Sequence, residues 1–155
     1  METVARDVMN TSYHVLAPQT PLSEVVALFR EASLEESRRV FGMMVVDGEG
    51  RLAGMLSMYD ILLYLRPKHI RVWGEMRELV PEGLFETTLE RLKTLRAEDL
   101  MSPQVTTIGP HTHILQIIDL MINKHVRRLP VVDGGSILGI VYLSDVFYHL
   151  LQRFL

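Results

Sequence analysis

The apolar positions of this 155-residue chain fall into a pattern that occurs twice. Leu22, Val25, Val26 and Phe29 stand at i, i+3, i+4 and i+7, and Ile114, Ile117, Ile118 and Met121 repeat that spacing. Each set predicts a helix with one buried face. Thr20 and Thr112 stand where N-caps are expected, and Pro21 suits a first helical position. Two short apolar runs follow each helix. Met44-Val45-Val46-Asp47-Gly48 matches Pro130-Val131-Val132-Asp133-Gly134, and Leu52-Ala53-Gly54-Met55-Leu56 matches Ile137-Leu138-Gly139-Ile140-Val141. These runs predict buried strands joined as hairpins, and a closing helix is expected at 61–65 and again at 146–151.

The openings match as well. Asp7-Val8-Met9 recurs as Asp99-Leu100-Met101, and Pro18 recurs as Pro110. The chain is therefore an α/β protein made of one unit used twice: strand, helix, strand, strand, helix. The first copy carries an insertion around 33–38. The expected organisation is repeat 1 over 1–65, a connecting segment over 66–96 and repeat 2 over 97–155. Pro67, Gly74, Pro81 and Gly83 interrupt the connecting segment, and Phe85, Leu89, Leu92 and Leu95 give its second part the spacing of an amphipathic helix. That helix must pack on the repeats or on a second copy of the chain.

Composition narrows the classes. Apolar residues make up 48% and charged residues 23%, enough to bury a core and too apolar for a disordered chain. The net charge of −3 provides no basic field for duplex nucleic acid, and Lys124, Arg127 and Arg128 alone add little. The absence of cysteine excludes disulfides and thiolate metal sites. No apolar run approaches the roughly 20 residues of a membrane span, and METVARDVMN does not read as a signal peptide. The expectation is a soluble, cytoplasmic protein. Asn10-Thr11-Ser12 matches a glycosylation sequon and is read as chance.

The most specific motif is Gly-x-apolar-x-x-x-Asp ahead of each closing helix. It occurs as Gly54-Met55-Leu56-Ser57-Met58-Tyr59-Asp60 and again as Gly139-Ile140-Val141-Tyr142-Leu143-Ser144-Asp145. With the Asp-x-Met openings and the Val-Val-Asp-Gly turns, it makes the chain resemble the CBS-domain family over about 4–65 and 97–152, arranged as the tandem pair called a Bateman module. The resemblance implies two repeats packed as a pseudo-twofold pair, with clefts between them that take adenine nucleotides. AMP, ADP or ATP are the expected ligands, with S-adenosylmethionine ranked behind them, and no cofactor is required. It also implies a regulatory role rather than an enzyme, association as a homodimer, and an effector protein of unknown identity that receives the signal.

Carried onto this sequence, the resemblance makes Asp60 and Asp145 acceptors for ribose hydroxyls. Each is expected in the first turn of a helix, where the positive end of the dipole favours a carboxylate. Ser57 stands three residues before Asp60, where the family commonly has a hydroxyl that helps hold sugar or phosphate; Ser57 with Asp60 also reads as a capping box. Repeat 2 has Tyr142 at that place, a poor cap, so the two clefts should be unequal; Ser144 adds a hydroxyl beside Asp145. Gly54 and Gly139 permit close approach of backbone and are expected to leave room for a flat base in the clefts. His125, Arg127 and Arg128 precede the central strand of repeat 2 and are expected at phosphate, with Arg39 as the less clearly aligned counterpart. Val15, Leu16, Met43, Met44, Thr106 and Thr107 with Pro130 are candidates for holding the base.

Other chemistries are weaker. His111-x-His113 has no third ligand placed by spacing. Neither Gly-x-Ser-x-Gly nor a P-loop occurs. The remaining alternative is a ligand-free interaction module that serves to dimerise.

Overall fold

A computed structural model describes residues 2–37, 39–66 and 82–155. The elements of repeat 1 are a short helix α1 (Ala5–Val8), strand β1 (Val15–Leu16), α2 (Leu22–Glu35), β2 (Gly42–Val46), β3 (Leu52–Ser57) and α3 (Met58–Leu65). The connecting segment contributes α4 (Leu84–Thr94). Repeat 2 has α5 (Ala97–Leu100), α6 (Ile114–Lys124), β4 (Arg128–Asp133), β5 (Ser136–Tyr142) and α7 (Leu143–Leu151), followed by a 3-10 turn, Gln152–Phe154. The closing helices thus begin three residues earlier than the apolar pattern alone indicates, at Met58 and Leu143. The interruptions expected at Pro67, Gly74 and Pro81 lie outside the described residues.

The α/β unit repeats as expected. In the first sheet β2 lies between β1 and β3, and β1 pairs with it in parallel through Val15↔Met44 and Leu16↔Val45. In the second, β4 and β5 are antiparallel, and a single parallel bridge, Ile108↔Val131, stands where β1 stands in the first. The parallel contact requires the crossover that α2 and α6 provide. The β4–β5 hairpin turns on Gly134 and Gly135, whose φ values of 58° and 86° suit a two-residue turn that favours glycine.

The compact units do not follow the sequence repeats. One unit comprises the chain up to His14, Asp47–Leu52 and Gln104–Leu155; the other comprises Val15–Val46 and Ala53–Pro103. The Asp-x-Met openings have therefore changed places. Ala5 and Val8 of the first opening lie in the core formed by Ile117, Met121, Leu129, Val131, Val141 and Val146. Ala97 of the second lies in the core of Leu16, Leu22, Val25, Val45 and Leu56. The aspartate of each opening starts its own short helix: Asp7 Oδ2 accepts from Val4 N at 2.9 Å, and Asp99 Oδ2 from Arg96 N at 2.8 Å.

Three sequence expectations change. Thr20 and Thr112 do not cap α2 and α6; Pro21 and His113 occupy the N-cap positions. Thr112 instead accepts from Gly109 N through Oγ1 at 3.0 Å, and the Thr20 carbonyl accepts from Ala97 N at 2.8 Å. Pro21 stands just before the helix rather than within it, with an extended ψ of 147°. Val26 does not join the buried face of α2: it is 57% exposed, while Leu22 and Val25 are buried. The connecting helix α4 packs on its own chain, against α2 and α3, with Leu92 in the core.

Candidate functional site

Each repeat turns from its last strand into its last helix at the glycine–aspartate motif, and the two junctions share one plan. In repeat 1, Ser57 is the N-cap of α3, and Asp60 follows in the first turn. Asp60 Oδ2 accepts from Ser57 N at 2.8 Å and from Ser57 Oγ at 2.9 Å, while Asp60 N donates back to Ser57 Oγ at 3.2 Å. This is the reciprocal capping box expected from the residues, and it orients the carboxylate at the positive end of the helix.

In repeat 2, Tyr142 occupies the N-cap of α7 and makes no side-chain capping bond. At Asp145 the donor from outside the turn is Asn10, whose Nδ2 donates to Oδ2 at 2.7 Å. Ser144 is exposed in the same turn. Asn10 was missed from sequence because its only visible signal was the sequon, whereas its role depends on the exchange of the opening segments.

Gly54 and Gly139 are required by that exchange. A Cβ on Gly139 would lie 2.6 Å from the Asn10 carbonyl oxygen and 3.0 Å from Met9 Sδ. One on Gly54 would lie 2.8 Å from the Ser102 carbonyl oxygen and 2.7 Å from Met101 Sδ. In both repeats the group that approaches closely is the protein's own backbone rather than the flat base expected from sequence. Asn10 exchanges two hydrogen bonds with Ile140 at 2.8 and 3.0 Å, and Ser102 exchanges two with Met55 at 2.9 and 3.0 Å.

The basic residues divide. Arg128 is half-buried and pairs across the sheet with Tyr142, which puts their side chains on one face. Exposed Arg127 accepts from Leu143 N through its carbonyl at 2.8 Å, tying the start of β4 to the start of α7. The same bond in repeat 1 runs from Met58 N to Phe41 O at 2.7 Å. Phe41 and Gly42 therefore stand where Arg127 and Arg128 stand. Arg39 lines an apolar groove of about 360 Å³ with Phe29, Phe41, Met58, Ile61 and Leu62, and neither Ser57 nor Asp60 lines it. His125 ends α6 in the left-handed conformation, φ 53°, so its position has a backbone reason of its own.

Of the base-holding candidates, Pro130 is buried in β4, and Val15 is exposed on β1 while Leu16, Met43 and Met44 are buried. Thr106 is half-buried. Thr107 lines an open groove of about 740 Å³ with Thr112, Gln116 and Asp119, apart from the Tyr142–Asp145 turn. His113 commits both ring nitrogens, Nδ1 accepting from Leu115 N at 3.0 Å and Nε2 lying 2.7 Å from Glu2 Oε2. Among the described residues no helix is long and apolar enough to cross a membrane.

Comparison with known proteins agrees with this plan. The model of the CBS domain matches residues 5–67 and 97–152. The crystal structure of CBSX2 in complex with AMP superposes with a TM-score of 0.70 at 26% identity, over 98% of each chain. The chloroplastic CBSX2 sequence of Arabidopsis thaliana is 28% identical over 152 residues, which is 90% of this chain but 59% of that protein. The 5'-AMP-activated protein kinase subunit gamma-3 of Sus scrofa is 31% identical over 114 residues, 73% of this chain and 20% of that one. The chain thus spans about three fifths of the length of the first of these curated relatives and one fifth of the second. With both repeats matched over their full strand–helix plan, the chain belongs to the CBS domain family.

Proposed function

We propose that this protein is a regulatory module that binds adenine nucleotides and performs no reaction of its own. The observation that carries this reading is the oriented carboxylate in the first turn of each closing helix, Asp60 and Asp145, in a chain 26% identical to a protein solved with AMP. A fixed carboxylate accepts two hydrogen bonds from a ribose cis-diol. The Arg127–Arg128 pair supplies charge-assisted donors for phosphate at repeat 2. A ligand that favours one arrangement of the repeats shifts the population towards it, and an effector protein reads the difference. The exposed apolar residues of α2 and α3, Val26 and Leu62 among them, support association of two chains.

A thermal-unfolding screen with AMP, ADP, ATP and S-adenosylmethionine tests the reading. A nucleotide at 100 times its dissociation constant adds about 2.7 kcal/mol of stability. No shift with any of the four at millimolar concentration overturns it and favours a ligand-free dimerisation module, which the apolar groove would serve by itself.

A further inference from the structure

We propose that Asn10 is a positioning residue for Asp145, so that the opening segment of repeat 1 sets the ligand preference of the junction in repeat 2. The inference rests on the nucleotide reading and specifies how one of its two carboxylates is controlled. The backbone of Asn10 is pinned to β5 by the pair of hydrogen bonds with Ile140. The missing Cβ of Gly139 lets that backbone come close enough for the side chain to reach α7. From there Nδ2 donates to Asp145 Oδ2 at 2.7 Å, in partly buried surroundings and across 135 residues of sequence.

A carboxylate in a first helical turn rotates freely about its last bond unless something holds it. In repeat 1 the holder is local: Ser57 supplies both an N–H and an O–H. In repeat 2 that place is Tyr142, whose side chain makes no capping bond. Ser102 occupies in repeat 1 the position of Asn10, with the same backbone pair to the strand, here Met55. The amide of Asn10 thus gives Asp145 Oδ2 a side-chain donor, as the Ser57 hydroxyl gives one to Asp60 Oδ2 in repeat 1. With Oδ2 held by a donor, the plane of the Asp145 carboxylate is set before a diol arrives, and less order is lost on binding.

The test measures binding of AMP and 2'-deoxy-AMP by calorimetry to the full chain carrying Asp60→Ala, which leaves the repeat 2 junction as the reporter. Adding Asn10→Ala is expected to weaken AMP about tenfold and 2'-deoxy-AMP much less, since a hydrogen bond to a charged group carries about that much. Adding Asn10→Ala to a chain that also carries Asp145→Ala should change neither ligand, because Asn10 acts through that carboxylate. Asn10→Gln, which keeps the amide donor, should restore part of the AMP preference, whereas Asn10→Leu should not. An equal loss for both nucleotides, or an undiminished effect of Asn10→Ala without Asp145, overturns the positioning role and leaves the nucleotide reading intact. Absence of AMP binding by the unmutated chain overturns the nucleotide reading, and this inference with it. Circular dichroism and the midpoint of urea unfolding check that each variant is folded.

Discussion

The two glycine–aspartate junctions show how one motif can be built on different supports. Asp60 is oriented by its own neighbour in sequence, through the Ser57 capping box. Asp145 is oriented by a residue from the far end of the chain, through Asn10. The difference extends to charge. Repeat 2 places Arg127 and Arg128 at the start of its central strand, where repeat 1 has Phe41 and Gly42. The first junction thus has its carboxylate held within one helical turn. The second has its cations but depends on the exchanged segment. The junctions differ at two matched positions, Ser57 against Tyr142 and Ser102 against Asn10, and the side-chain donor to the carboxylate is local in one and long-range in the other.

The largest expected effect concerns the feature the junctions share. Gly139→Ala puts a methyl group against the Asn10 carbonyl at 2.6 Å, and Gly54→Ala puts one against Ser102 at 2.8 Å. Each should lose about 2–3 kcal/mol in urea unfolding, with the loss larger at Gly139, since buried overpacking typically costs 1–3 kcal/mol. Equal and negligible losses would show that the openings can withdraw from the strands at little cost.

Next come the acids, which should separate stability from binding. Asp60→Ala removes the acceptor of a capping box and should lower stability by about 1 kcal/mol, as loss of a cap does. Asp145→Ala removes one long-range hydrogen bond at a half-buried site and should cost less stability, while weakening AMP more than Asp60→Ala does because the arginines lie in its repeat. Paired unfolding and calorimetric titrations of the two variants decide this. Identical profiles would remove the distinction between the junctions.

The smallest expected effect concerns the helix ends before the central strands. Ser37 follows α2 with φ 54°, and His125 ends α6 with φ 53°. A left-handed residue that is not glycine carries a steric cost of about 1–2 kcal/mol. Ser37→Gly and His125→Gly should each recover up to about 1 kcal/mol, measured as a rise in the unfolding midpoint. If His125→Gly stabilises the fold and leaves AMP affinity unchanged, the residue is a helix terminator and has no part in holding phosphate.

How much of this was legible from sequence depends on the range of the interaction. The strand–helix–strand–strand–helix unit, the Ser57–Asp60 capping box and the weak cap at Tyr142 follow from spacing and local chemistry, because helices, hairpins and caps are satisfied within a few residues. The period of the apolar positions likewise predicted α4 and the burial of Leu92, but not that Phe85 at its start is left 60% exposed or that the helix ends before Leu95. The repeat also marked Gly54 and Gly139 as special, through the absence of a side chain where a backbone passes. What passes there was a tertiary decision. Only the folded chain exchanges the two Asp-x-Met openings between compact units, brings Met9 and Asn10 against Gly139, and lets Asn10 hold Asp145. The contacts of Met9 and Asn10 join residues more than 100 positions apart, and no local preference of either partner encodes them. Sequence alone determined that this chain carries two similar carboxylate-bearing junctions; tertiary structure decided that one stands on its own helix and the other on the opening segment of its neighbour.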